Sequence, residues 1–216
     1  MKRFLICAVL AALVVPAASF AAGPTGQDRE NASRACRALR AELGLATFRQ
    51  TYGTVQSNRM NAFGKCVSQW SRTEHQNRIS AREACSAEQA DPNFTASHDG
   101  MTFDQFYGTG PKHRDAFGKC VSSKAKSASA EVRQNTLNAA KQCKTERSAL
   151  GPAEFRAKYG KNANDRNAFG KCVSMKAQAE TAVEQAATIK AAKACKAERK
   201  TIGDAPFKAK YGTGAT

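Results

Sequence analysis

A seven-residue box, Ala-Phe-Gly-Lys-Cys-Val-Ser, constrains this chain more than any other feature. It occurs three times without change, at Ala62 to Ser68, Ala116 to Ser122 and Ala168 to Ser174, preceded by Asn61, Asp115 and Asn167 respectively. A second box, Phe-x-x-x-Tyr-Gly, occurs four times: Phe48/Tyr52/Gly53, Phe103/Tyr107/Gly108, Phe155/Tyr159/Gly160 and Phe207/Tyr211/Gly212. Upstream of each stands a further cysteine, Cys36, Cys85, Cys143 or Cys195, with Cys-to-Phe spacings of 12, 18, 12 and 12. The second spacing implies a six-residue insertion, placed within Asp91 to Met101. Cys143 to Gly160 and Cys195 to Gly212 share 11 of 18 residues. Self-similarity at a fixed period is the signature of a repeat architecture. The expected organisation is a tandem array of about 52-residue units at 22–75, 76–130, 131–182 and a truncated 183–216.

Between the boxes, from Cys66 to Cys85, Cys120 to Cys143 and Cys172 to Cys195, there is no Gly or Pro, and Ala, Lys, Arg, Gln and Glu abound. These are strong helix formers, so the segments read as long helices, most clearly Lys171 to Thr201. Glycines collect in the other half of each unit, at Gly44, Gly53, Gly151, Gly160, Gly203 and Gly212, where a left-handed residue ends a helix. The Phe-x-x-x-Tyr-Gly box reads as a short helical turn with both rings on one face. Asn or Asp before each Ala-Phe-Gly-Lys-Cys suits an N-cap. Ser80 and Glu83 match a capping box and leave room for a break in the first long helix. The fold class expected is all-α, with disulfide-stapled tandem helical repeats whose long helices are joined by Gly- and aromatic-containing connections.

The helices decide between two cysteine pairings. Cysteines at the two ends of one helical segment would lie roughly 28 to 35 Å apart at 1.5 Å per residue, whereas a disulfide needs Cα atoms within about 7 Å. The surviving pattern joins Cys36 to Cys66, Cys85 to Cys120 and Cys143 to Cys172, and leaves Cys195 as a free thiol. Staples are needed, because Leu, Ile, Val and Phe number only 32 of 216 residues, below the roughly 20% at which highly charged chains stay disordered. The repeated Phe and Tyr residues then read as a small apolar plug on each disulfide, and Gly64, Gly118 and Gly170 as points of close backbone approach.

Residues 1–21 read as a secretory signal peptide: Lys2 and Arg3, an apolar run from Phe4 to Val15, Pro16, and small residues at Ser19 and Ala21 before the cleavage site. Twelve apolar residues are too few for a membrane span, which needs about 20. A secreted or extracytoplasmic location, in the periplasm or cell envelope, is expected, with thiols in an oxidising compartment.

Catalytic motifs are thin. Gly-Lys-Cys-Val-Ser lacks the glycine spacing of a phosphate loop, and there is no nucleophile elbow, no His-Glu-x-x-His and no Cys-x-x-Cys. His75, His98 and His113 occupy no common position in the units, which excludes a repeated Cys-His metal site. No catalytic, cofactor or metal residue is therefore assigned. The one irregular segment, with His98, Asp99 and Asp91, could host a private site; that, or Cys195, would carry an alternative reading as an extracytoplasmic enzyme or redox protein.

Charge is the strongest functional signal. The chain carries 34 Lys plus Arg against 18 Asp plus Glu, a net +16, and residues 131–216 hold 17 basic and 8 acidic groups. Lys190, Lys193, Lys196, Arg199 and Lys200 read as a basic flank of the last long helix. Such a surface attracts polyanions by steering and counterion release. The expected role is non-enzymatic binding of an anionic envelope polymer, a lipid surface or extracellular nucleic acid. The protein is expected to be mostly monomeric with a minor Cys195-linked dimer.

Overall fold

The computed structural model describes residues 23–54, 58–160 and 165–211; the signal peptide expected at 1–21 and Gly212 of the fourth Phe-x-x-x-Tyr-Gly box lie outside them. The described residues form helices and no strands, in the order α1 (Gly26–Leu43), α2 (Leu45–Tyr52), α3 (Ala62–Gln89), α4 (Phe94–Ser97), α5 (Phe103–Tyr107), α6 (Ala116–Tyr159), α7 (Ala168–Ile202) and α8 (Asp204–Tyr211). No helix among them is long and apolar enough to cross a membrane.

α1 starts in a capping box: the Thr25 hydroxyl accepts from the Asp28 N–H, and the Asp28 carboxylate accepts from the Thr25 N–H at 2.8 Å. It stops at Gly44, with φ 75° and ψ 154°. The same backbone shape recurs at Gly151, φ 79° and ψ 163°, where it breaks α6 just before Pro152, and at Gly203, φ 85° and ψ 165°, between α7 and α8. Only glycine enters this region at low cost. Each break turns the chain into a short helix carrying Phe and Tyr four residues apart. The paired rings sit 5.0 Å apart in α2 and 4.9 Å apart at the end of α6; the pair in α5 is also 5.0 Å apart.

Three disulfides join the long helices: Cys36–Cys66 links α1 to α3, Cys85–Cys120 links α3 to α6, and Cys143–Cys172 links α6 to α7, with Cα separations of 6.0, 6.0 and 6.1 Å. All six sulfurs belong to fully buried residues. Contacts beyond the staples set the direction of packing. Asp28 meets Arg78, Asn77 meets Ser129, and Asn135 meets Thr181, so each successive long helix runs antiparallel to the one before. Among the described residues the core is three apolar clusters, one around each disulfide, holding Phe48 and Trp70, Phe94 and Phe103, and Phe155 and Phe169. Disulfides between helices fit an oxidising, extracytoplasmic environment.

Several local expectations need correction. Asn61, Asp115 and Asn167 stand at helix N-cap positions, but none makes a side-chain cap bond. Asn61 instead clasps Thr54 through the Thr54 N–H (3.0 Å) and hydroxyl (2.8 Å), and Asp115 accepts from the Thr109 hydroxyl and N–H at 2.7 and 3.1 Å. These side chains close the loop behind the aromatic turn. α3 runs unbroken through Ser80, because it is held at Cys66 and Cys85 and packed on both α1 and α6. Close approach occurs at Gly170 alone of the three box glycines: a Cβ there would lie 2.5 Å from the Thr51 carbonyl oxygen of α2, whereas Gly64 and Gly118 face open space. The inserted segment builds α4, whose Phe94 is buried in the core.

Candidate functional site

The basic residues expected on α7 fall within its described span, Ala168–Ile202. At about 100° per residue, steps of three wind the row through roughly 180° between Lys190 and Arg199. Lys190 and Lys200 are exposed and Arg199 is half-buried; the side chains of Lys193 and Lys196 lie outside the described part of the structure. Cys195 is exposed and in no disulfide.

His98 is held by its own short helix. Its ring stacks on Phe94 at 3.8 Å between centroids, and Nδ1 lies 2.9 Å from the Phe94 carbonyl oxygen. Asp91 accepts from the Asn93 N–H at 2.9 Å. Among the described residues, no group of three or more His, Cys, Asp or Glu is placed to hold a metal ion.

The structure assembles a site that no local pattern announced. Where α2, the loop before α3, the break in α6 and the start of α7 converge, a cleft of about 240 Å³ is lined by Arg59, Arg147, Arg156 and Arg166, with Asp165 the one carboxylate among the described lining residues. Phe155 and Phe169 form its apolar floor. Arg147 donates to the Gln50 side-chain oxygen at 3.0 Å, and its guanidinium carbon lies 5.2 Å from the centre of the Phe169 ring. Arg59 donates to the Arg166 carbonyl at 3.0 Å, and Arg156 to the Pro152 carbonyl at 3.1 Å. These neutral acceptors orient three guanidiniums without neutralising them, and each guanidinium carries five N–H donors. Like charges gathered in a cleft focus a positive potential. The planar fork of arginine suits phosphate, sulfate or carboxylate bound through two parallel hydrogen bonds. The residues come from four separate stretches, with Arg59 and Arg166 separated by 107 positions. Only the antiparallel pairing of α6 with α7 and the seating of α2 against Gly170 bring them together.

A second charged cluster joins α1, α3 and α6. Asp28, 1% exposed, accepts from Thr25 and takes both Nε and Nη2 of Arg78 at 3.0 and 3.1 Å, with His75 Nδ1 at 3.3 Å. Burial pushes the Asp28 carboxyl up, but hydrogen bonds from Arg78 and Thr25 outweigh it and hold the group well below the usual carboxylate range. Buried Glu74 accepts from the Ser129 hydroxyl at 3.0 Å, and its own burial raises its pKa. Asp28 has its acceptor capacity committed within the protein, and this cluster is an anchor between helices.

Compared with protein-family models, curated proteins and solved structures, the chain matches none of them.

Proposed function

We propose that this is a secreted, cationic, non-enzymatic protein of the extracytoplasmic space that binds anionic polymers or surfaces of the cell envelope or its surroundings. The observation that carries the reading is the cleft with four arginines and one carboxylate in a chain of net charge +16. Lys190 and Lys200 of α7 are exposed and add positive charge elsewhere on the protein. The anion is an envelope polymer, a lipid surface or extracellular nucleic acid, all of which present the phosphate or carboxylate groups that guanidiniums pair with.

The scaffold is a tandem array of about 52-residue units at 22–75, 76–130, 131–182 and 183–216. Three breaks at glycines of matching φ and ψ support this, as do the aromatic pairs at matching distance. So does a shared polar lock: Glu88 pairs with Lys124 and Tyr107, as Glu146 pairs with Lys176 and Tyr159. The protein is mostly monomeric, with Cys195 supplying a minor disulfide-linked dimer.

The test is a pull-down of the mature chain against the secreting cell's envelope fractions and nucleic acid at low and high salt. Capture of one anionic fraction that collapses at high salt supports the proposal. Capture that ignores salt, or none from any anionic fraction, refutes it.

A further inference from the structure

The polar lock just described is missing at the first disulfide. Three residues after Cys36 stands Leu39 where Glu88 follows Cys85 and Glu146 follows Cys143; four residues after Cys66 stands Trp70 where Lys124 and Lys176 follow the other two. Tyr107 and Tyr159 donate their hydroxyl protons to Glu88 and Glu146 at 2.7 and 2.8 Å. The Tyr52 oxygen instead accepts from the Trp70 indole N–H at 3.2 Å, and its own O–H meets no acceptor among the described residues. Tyr52 is only 9% exposed and Trp70 2%.

Both residues line a cleft of about 300 Å³ between α2, α3, α6 and α7. Its walls include Val132, Val173 and Ala177, and among the described residues that line it none is charged, although the chain carries 34 Lys plus Arg and 18 Asp plus Glu. Thr51, Thr136 and Thr181 on the lining donate their hydroxyl protons to backbone carbonyls four residues upstream, at 2.9 Å each. Tyr52 is thus the buried donor with a proton to offer. Burial pushes its hydroxyl up to about 12, against the smaller lowering effect of the Trp70 hydrogen bond, so it stays protonated at neutral pH.

We infer that this cleft binds a small neutral molecule with an apolar, ring-sized body and one hydrogen-bond acceptor, which the Tyr52 hydroxyl recognises. The volume lies at the lower end of small-molecule sites, which combine apolar walls with a few placed polar groups. With Leu39 and Trp70 where the lock has Glu and Lys, the Tyr52 phenol is left without the carboxylate that Tyr107 and Tyr159 donate to. The inference is independent of anion binding, since the two clefts share no described lining residue.

Trp70 is the sole tryptophan, so one indole N–H resonance reports on the cleft. Titrating the mature protein at pH 7 with acetophenone, toluene and benzoate separates the terms. Acetophenone is expected to shift that resonance saturably, toluene to bind more weakly, and benzoate not to saturate over the same range. In Tyr52→Phe, which keeps the ring, the preference for acetophenone over toluene should fall by about three- to tenfold, the range of one net hydrogen bond. Ala182→Phe, at an exposed lining position, should abolish saturation by both, and decides the matter if Tyr52→Phe does not fold. No saturable shift with acetophenone, benzoate binding as tightly as acetophenone, a preference unchanged in a folded Tyr52→Phe protein, or saturation unchanged in Ala182→Phe would each overturn the inference.

Discussion

Replacing Cys143 and Cys172 together by alanine removes the staple between α6 and α7 and measures how far this fold depends on covalent closure. The two cysteines are 29 residues apart, and a loop of that size costs about 3.6 kcal/mol to close in the chain-entropy model. Both are fully buried among Phe155, Phe169 and Val173, so the lost sulfurs also leave unfilled space, and alanine avoids introducing a buried hydroxyl. At about 2 to 4 °C per kcal/mol for a chain of this length, the melting temperature should fall by roughly 7 to 14 °C. Urea unfolding followed by helical ellipticity gives the free energy directly. Cys195→Ser, which removes an exposed thiol, is the control and should leave the midpoint unchanged. A loss below about 1 kcal/mol in the double variant would mean that α6–α7 packing suffices by itself, and that stapling does not compensate for the scarcity of large aliphatic residues.

Other expectations follow from single sites. Gly151→Ala should destabilise by about 1 to 3 kcal/mol in urea melts, from backbone strain alone, since the added Cβ meets nothing within 4 Å. Asp28 sits below its ordinary range, and hydrogen bonds from Lys158 and Tyr159 hold Glu146 at about 2. A carboxyl lowered by folding stabilises fully above its unfolded value near 4 and loses that contribution as pH falls through the folded value. The urea midpoint should therefore drop from about pH 4 downward, less steeply in Asp28→Asn; raised Glu74 opposes this, since its protonation favours the fold. Thiol counting on non-reducing gels should find one reactive thiol per monomer and a minor dimer abolished by Cys195→Ser; no free thiol in pure monomer would contradict the pairing.

The staples and long helices were legible in the sequence for a simple reason. Gly- and Pro-free segments fix rigid rods, rods fix distances, and distances leave one cysteine pairing. Local signals failed where tertiary contacts compete with them. Asn61 and Asp115 have the chemistry of N-caps, yet Thr54 and Thr109 offer them partners that also close a loop. Ser80 has a capping-box neighbour, but a helix fastened at both ends does not break there. Phe94 hid in a segment read as an insertion, because one aromatic residue among polar ones gives no periodicity. The arginine cleft could not be seen at all: Arg59, Arg147, Arg156 and Arg166 share no spacing, and only the antiparallel packing places them together.

Anion binding is tested most directly by fluorescence anisotropy of a labelled 20-nucleotide single strand, a polyanion of known charge spacing, titrated with the mature protein at several salt concentrations. The logarithm of affinity should fall linearly with the logarithm of salt, with a slope of about −0.7 per phosphate engaged. In the triple variant Arg59→Gln, Arg147→Gln, Arg156→Gln, with helical content unchanged, the slope should become shallower by about 2, the loss of three such contacts. Binding that is insensitive to salt, or a slope unchanged in the folded triple variant, would contradict anion binding by the arginine cleft.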